Sequence, residues 1–119
     1  MPKVYVVDDD QALTSLLKTL LELEPEEFEV KIIPLGEDAL HTGQTSPPDI
    51  FIIDYHLKDM IGLDLVQLLR EQAHLDGVPI IVASGLDVES EAYQAGADLF
   101  LPKPFEPGSL AGIIMELIG

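Results

Sequence analysis

The 119 residues include no cysteine and no tryptophan. Without cysteine there is no disulfide framework, no thiolate zinc site and no thiol nucleophile, and this fits a cytoplasmic setting without requiring one. Positive charge is scarce: 6 Lys+Arg stand against 22 Asp+Glu, a formal net charge of −16. Nucleic-acid backbones and anionic membrane surfaces are bound by clustered Lys and Arg, so neither is expected as a direct partner. Long apolar runs are missing as well. Nothing approaches the ~20 residues of a membrane-spanning helix. The apolar start breaks at Asp8, which no signal peptide would do.

Hydrophobic residues make up 47% of the chain, too many for an acidic disordered tail and enough for one buried core. The length suits a single domain over residues 1–119. Short apolar runs recur: Val4–Val7, Ile50–Ile53, Pro79–Ala83 and Leu99–Leu101, with Phe28, Val30 and Ile32 alternating against Glu29 and Lys31 as in an edge strand. Between them lie helical patterns. Leu13, Leu16, Leu17 and Leu20 define the first, which Glu24-Pro25 stops. The second runs from Gly36 to Thr42, and the third contains Leu65, Leu68 and Leu69 and closes near Asp76-Gly77. The fourth carries Val88, Ala92 and Ala95 with Gly96 at its end, and the last carries Leu110, Ile113, Ile114 and Leu117 with Pro107 in its first turn. Five βα pairs with continuous apolar strands predict an α/β fold with one parallel sheet covered on both faces.

Ligands of open α/β sheets bind outside the carboxyl ends of the strands. The polar residues here gather at those ends. The first strand runs into Asp8-Asp9-Asp10, the third ends in Asp54, the fourth in Ser84, and the fifth is followed by Lys103. If the first and third strands are neighbours, Asp8, Asp9 and Asp54 converge. Two carboxylates ~4 Å apart repel by roughly 4 kcal/mol at an effective dielectric of 20, so three must take up protons or bind a cation. An all-oxygen ligand set favours a hard ion that keeps waters, Mg²⁺ first and Mn²⁺ as the alternative. Lys103 beside the carboxylates and a metal suits a transferred anion, and Pro104 is a candidate for a cis peptide bond that aims it. Ser84 has no evident general base among His41, His56 and His74, so donating to an anion bound at Asp54 suits it better than nucleophilic attack.

In order and spacing, Val6-Val7-Asp8-Asp9-Asp10, Ile52-Ile53-Asp54, Val82-Ala83-Ser84-Gly85, Ala95-Gly96-Ala97-Asp98 and Lys103-Pro104-Phe105 resemble the receiver domain of two-component response regulators, over essentially the whole chain. The resemblance implies a (βα)5 doubly wound, flavodoxin-like sheet in strand order 2-1-3-4-5. It implies that Asp54 accepts a phosphoryl group from a phosphohistidine on a sensor histidine kinase or a histidine phosphotransfer protein. Asp9, Asp54 and the backbone carbonyl of His56 would ligate Mg²⁺, with Asp8 acting mainly through a metal-bound water. Ser84 and Lys103 would contact the phosphoryl oxygens. Ser84 and Phe100 would then act as the switch, remodelling the face of the fourth helix, fifth strand and fifth helix for an output partner, an output domain or a second copy. Such a protein is a phosphoacceptor rather than a turnover enzyme.

Three positions depart from the commonest pattern. Lys58 stands where proline is frequent, and His56 and Leu86 occupy positions that tune dephosphorylation; Leu86 is expected to shield the acyl phosphate. Three other readings share part of the pattern. Asp8-x-Asp10 matches the start of haloacid-dehalogenase-type phosphatases, but Ala12 and the length do not suit them. A flavin carrier shares the sheet order but needs hydroxyl- and Gly-rich residues where this chain has acids. A binding module with the same fold but no phosphorylation would not need Asp8, Asp9, Asp54, Ser84 and Lys103 together.

Overall fold

In the computed structural model, which describes residues 1–119, each apolar run forms a strand and each amphipathic stretch a helix. The order is β1 (Lys3–Val7), α1 (Gln11–Glu22), β2 (Glu29–Ile33), α2 (Gly36–Thr45), β3 (Ile50–Asp54), α3 (Gly62–Arg70), β4 (Ile80–Ser84), α4 (Glu89–Ala95), β5 (Leu99–Pro102) and α5 (Leu110–Ile118). The five strands are parallel in the order β2-β1-β3-β4-β5, the expected flavodoxin-like arrangement. No helix is long and apolar enough to cross a membrane.

Alternation along the strands divides the core in two. Tyr5, Val7, Phe51, Ile53, Ile80, Val82 and Phe100 face α2, α3 and α4. Val4, Val6, Val30, Ile50, Ile52 and Ile81 face Leu17 and Leu21 of α1 and Leu110 and Ile114 of α5. The free edge of β2 is covered from α1: Lys18 Nζ donates to the Val30 carbonyl (2.9 Å) and to Glu22 Oε2 (2.8 Å). A side chain on an edge carbonyl blocks strand addition.

Four boundaries or faces differ from the sequence pattern. On α1 the buried positions are Thr14, Leu17 and Leu21, and Leu16 is exposed. α2 continues three residues past Thr42 and stops where Pro47-Pro48 forbid further helix. α3 ends at Arg70 rather than near Asp76, and a 3-10 turn (Ala73–Leu75) follows. Its Arg70 side chain gathers the chain beyond by donating to the carbonyls of Leu75 (3.1 Å), Val78 (2.9 Å) and Gly96 (2.9 Å) and to Asp98 (2.7 Å). Pro107 heads a separate 3-10 turn (Pro107–Ser109), and α5 starts only at Leu110. Gly96 ends α4 at φ 119°, a left-handed cap as its sequence position predicts.

Sheet register sets the functional rim. Val7 is level with Ile53, Asp54 with Ala83, and Ser84 with Pro102. The residues that follow or end these strands therefore emerge side by side.

Candidate functional site

Asp8 and Asp9 lie between β1 and α1, where the chain leaves the sheet before turning into the helix. Asp10 is the N-cap of α1 and accepts from the Leu13 amide (3.1 Å). This gives Asp10 a structural task, and it removes the third acid of the run from the cluster. Asp8 is buried; one of its carboxylate oxygens accepts from the Asp10 amide (3.0 Å) and the other from Lys103 Nζ (3.2 Å). Lys103 also donates to Asp54 Oδ1 at 2.8 Å. Carboxylate oxygens of Asp8, Asp9 and Asp54 all lie within 4.8 Å of one another.

Burial pushes the Asp8 carboxyl above its ordinary value, and the neighbouring Asp54 charge adds to this against the opposing Asp10 amide and Lys103. Burial alone would lower the Lys103 ammonium, but its hydrogen bond to Asp54 and the charges of Asp8 and Asp54 outweigh that and raise it. The site is thus a cup of three anionic oxygen donors with one fixed cation across its mouth. The donor set contains only carboxylate oxygens, which fits a hard divalent ion and gives soft metals no ligand.

Ser84 ends β4 fully buried, and its hydroxyl accepts from the Leu86 amide at 3.0 Å. Ser84, Leu86, Phe100 and Pro102 line an open cleft of about 310 Å³. Phe100 belongs to the core, with 9% of its surface exposed, whereas Leu86 is 49% exposed. His56 is exposed in the loop after β3, pairs across it with Ile61 and sets its ring edge-on to Tyr55 (centroids 4.8 Å apart). The Lys103–Pro104 peptide bond is cis. Asp8, Asp9, Asp54 and Lys103 are therefore in one cluster, Ser84 is at its rim, and Phe100, Leu86 and His56 lie around it. Lys103, which the sequence pairs with an incoming anion, here bridges the carboxylates themselves.

Three residues at the rim escaped the sequence reading. Gly62 starts α3 against the backbone of the acceptor strand: a Cβ there would lie 2.2 Å from the Asp54 carbonyl oxygen. The Asp59 carboxylate accepts from the amides of Gly36 (2.9 Å) and Glu37 (3.0 Å) at the start of α2. Tyr93 on α4 uses its hydroxyl to accept from the Phe100 amide at the free edge of β5 (3.2 Å). Only Gly62 carries a local signal, a glycine at the start of a helix; the other two contacts join residues far apart or on different elements.

Comparison with known proteins bears on this geometry. The model of the response regulator receiver domain matches residues 4–115. The chain belongs to that family. Among the relatives of this receiver domain, the phosphate regulon transcriptional regulatory protein PhoB of Rhizobium meliloti is 34% identical over 121 residues, covering 99% of this chain and 52% of PhoB. The transcriptional regulatory protein CpxR of Escherichia coli is 37% identical over 119 residues, covering 99% of this chain and 50% of CpxR. The receiver domain spans about half the length of these relatives. Among solved structures, the receiver domain of the Francisella response regulator 1452 superposes with a TM-score of 0.89 at 29% identity, covering 99% of this chain and 97% of that one.

Proposed function

We propose that this receiver domain accepts a phosphoryl group on Asp54 in a Mg²⁺-dependent reaction, with a phosphohistidine of a sensor kinase or phosphotransfer protein as donor. The observation that carries the reading is the cluster itself: three carboxylates within 4.8 Å of one another, bridged by Lys103 at 2.8 and 3.2 Å. A carboxylate oxygen of Asp54 attacks phosphorus, the P–N bond breaks, and the imidazole nitrogen leaves with its electron pair and takes up a proton. Asp8, Asp9 and Asp54, with the His56 carbonyl, would hold the ion, which would supply charge neutralisation at the phosphoryl oxygens. Lys103 moves from its carboxylates to a phosphoryl oxygen, since the transferred group carries about −1.5 to −2 charges. Positioning and charge stabilisation are most of what such a transfer needs from a protein.

A cleft of about 340 Å³ lined by Asp10, Leu13, Lys103, Pro104 and Phe105 gives the donor an approach beside Lys103, with Leu13 and Phe105 as its apolar wall. After transfer, Ser84 exchanges the Leu86 amide for a phosphoryl oxygen, and Phe100 follows into the cleft behind it. These differential contacts bias the α4-β5-α5 face, which an output domain, a separate partner or a second copy reads. Leu86 and His56 flank the acyl phosphate and set its lifetime. The names PhoB and CpxR describe transcriptional regulators. A DNA-binding output in a longer protein is the corresponding reading for this chain, whose own charge of −16 argues against direct contact with DNA.

Incubation with acetyl phosphate and Mg²⁺, followed by intact mass measurement, tests the reading. One added phosphoryl group is expected, lost on chelation of Mg²⁺ and absent in Asp54→Asn. No addition from acetyl phosphate or from a phosphorylated donor protein would overturn it.

A further inference from the structure

The loop from Tyr55 to Ile61 leaves the acceptor strand directly beside Asp54. It is closed on itself by the Leu57 amide donating to the Met60 carbonyl (3.2 Å), by the His56–Ile61 bridge and by the Gly62 amide donating to Tyr55 (2.6 Å). Those bonds close the loop between β3 and α3, and the Tyr55 amide ties its first residue to the Ala83 carbonyl of β4 (3.0 Å). Its tip is fixed by Asp59, whose two carboxylate oxygens each accept one amide of the first turn of α2. Met60 adds a tight contact, since a Cβ on Gly36 would lie 2.7 Å from its sulfur. α2 has no cap of its own: its N-cap residue is Leu35, in an extended conformation with no side-chain acceptor. The two amides lower the Asp59 carboxyl below its ordinary value, although burial opposes them. The bond across the rim is thus made by an ionised side chain to a helix start.

We infer that Asp59 is a positioning residue for the cation site: by gripping the start of α2 it holds the loop, and with it the His56 carbonyl, in place beside Asp54. This rests on the proposed function, which assigns that carbonyl to the ion. The tie also makes the β2–α2 junction part of the site's support, because whatever displaces the start of α2 displaces the loop. Outer partners of metal ligands carry such effects in general, their loss weakening metal binding about 10–100-fold.

A plain helix cap would account for the same hydrogen bonds, and two variants separate the roles. Asp59→Ala removes the grip and the cap together. Leu35→Ser in the Asp59→Ala background returns a cap to α2 from its own N-cap position but leaves the loop untied. Mg²⁺ dissociation constants are measured by calorimetry, with thermal melts and amide exchange at Leu57 measured on the same metal-free samples. Asp59→Ala is expected to weaken Mg²⁺ binding about tenfold, at the lower end of that range, and to speed Leu57 exchange. The double variant is expected to regain thermal stability while Mg²⁺ binding stays weak and Leu57 stays unprotected. An Asp59→Ala constant within about twofold of wild type, far below that range, overturns the inference. So does recovery of Mg²⁺ binding in the double variant, which would make Asp59 a cap and nothing more. Wild-type protein that binds no Mg²⁺ would instead overturn the site reading underneath.

Discussion

Replacing Lys103 by methionine keeps most of its aliphatic stem and removes the one cation in the cluster. Three carboxylates within 4.8 Å of one another repel by at least about 3.5 kcal/mol per pair at an effective dielectric near 20, about 10 kcal/mol for the three. Lys103 at 2.8 and 3.2 Å returns about 5–6 kcal/mol from each of its two partners on the same scale. One lysine therefore roughly cancels the repulsion of the whole group. Its side chain is 25% exposed, and solvent screens part of this. Loss of a partly buried partner then costs about 2–4 kcal/mol. For a chain of this size that is a fall of about 10 °C in Tm at pH 7.

The pH dependence has a definite sign. The folded Lys103 pKa is raised, so its contribution is fully present below the ordinary lysine value and is lost only as pH rises through the folded value. The Asp8 pKa is raised too, so as pH falls through the carboxylate range the cluster takes up protons and Lys103 has less to offset. Melts followed by circular dichroism in metal-free, low-salt buffer should show a large Lys103→Met deficit at pH 7 that closes toward pH 4. Added Mg²⁺ should recover more stability in the variant than in wild type, because the ion then replaces the missing charge. A pH 7 deficit under about 2 °C, well below the fall scaled from the charge cost, would refute the reasoning. So would a deficit of the same size at pH 4, which would make Lys103 a packing residue.

Other consequences follow from single contacts. Asp8→Asn should raise Tm at pH 7, because burial makes the ionised carboxylate costly; the gain should vanish as pH falls below the unfolded carboxylate value, and a pH-independent gain would contradict this. Gly62→Ala should destabilise by more than about 3 kcal/mol in urea titrations and weaken Mg²⁺ binding, because its Cβ would lie 2.2 Å from the Asp54 carbonyl oxygen and its nearest neighbours are all backbone atoms rather than a yielding side chain. Leu86→Ala should change stability by less than about 0.5 kcal/mol, as its side chain is half exposed, yet shorten the acyl-phosphate lifetime. Equal lifetimes, read by loss of phosphoryl mass over time, would end the shielding idea.

The parallel sheet and the rim were legible because they rest on local patterns, whereas the strand order was implied by the family resemblance. β1, β3 and β4 are short β-branched runs and β5 a short apolar one, these four deliver a polar residue at or just past their carboxyl ends, and the parallel register then places Asp8, Asp54, Ser84 and Lys103 together. Helix ends were less legible where a distant side chain decides them. α3 ends at Arg70, whose guanidinium collects carbonyls from Leu75, Val78 and Gly96, contacts that no window around residue 70 reveals. The exposed Leu16 shows the same limit, since four leucines in helical spacing do not say which of them the sheet covers. Asp10, the last acid of the run, caps α1, and an aspartate just before a helical pattern is itself a cap signal. Asp59 and Tyr93 bond to groups that only the assembled fold brings near.

Trapping the acyl phosphate is the most direct test of Asp54 as the phosphoacceptor. Borohydride reduction converts an aspartyl phosphate to homoserine, and peptide mass mapping locates the altered residue. After incubation with acetyl phosphate and Mg²⁺, homoserine is expected at position 54 and nowhere else, and at no position when Mg²⁺ is chelated. Homoserine at Asp8 or Asp9, or reduction at Asp54 that proceeds equally without a divalent ion, would contradict the account.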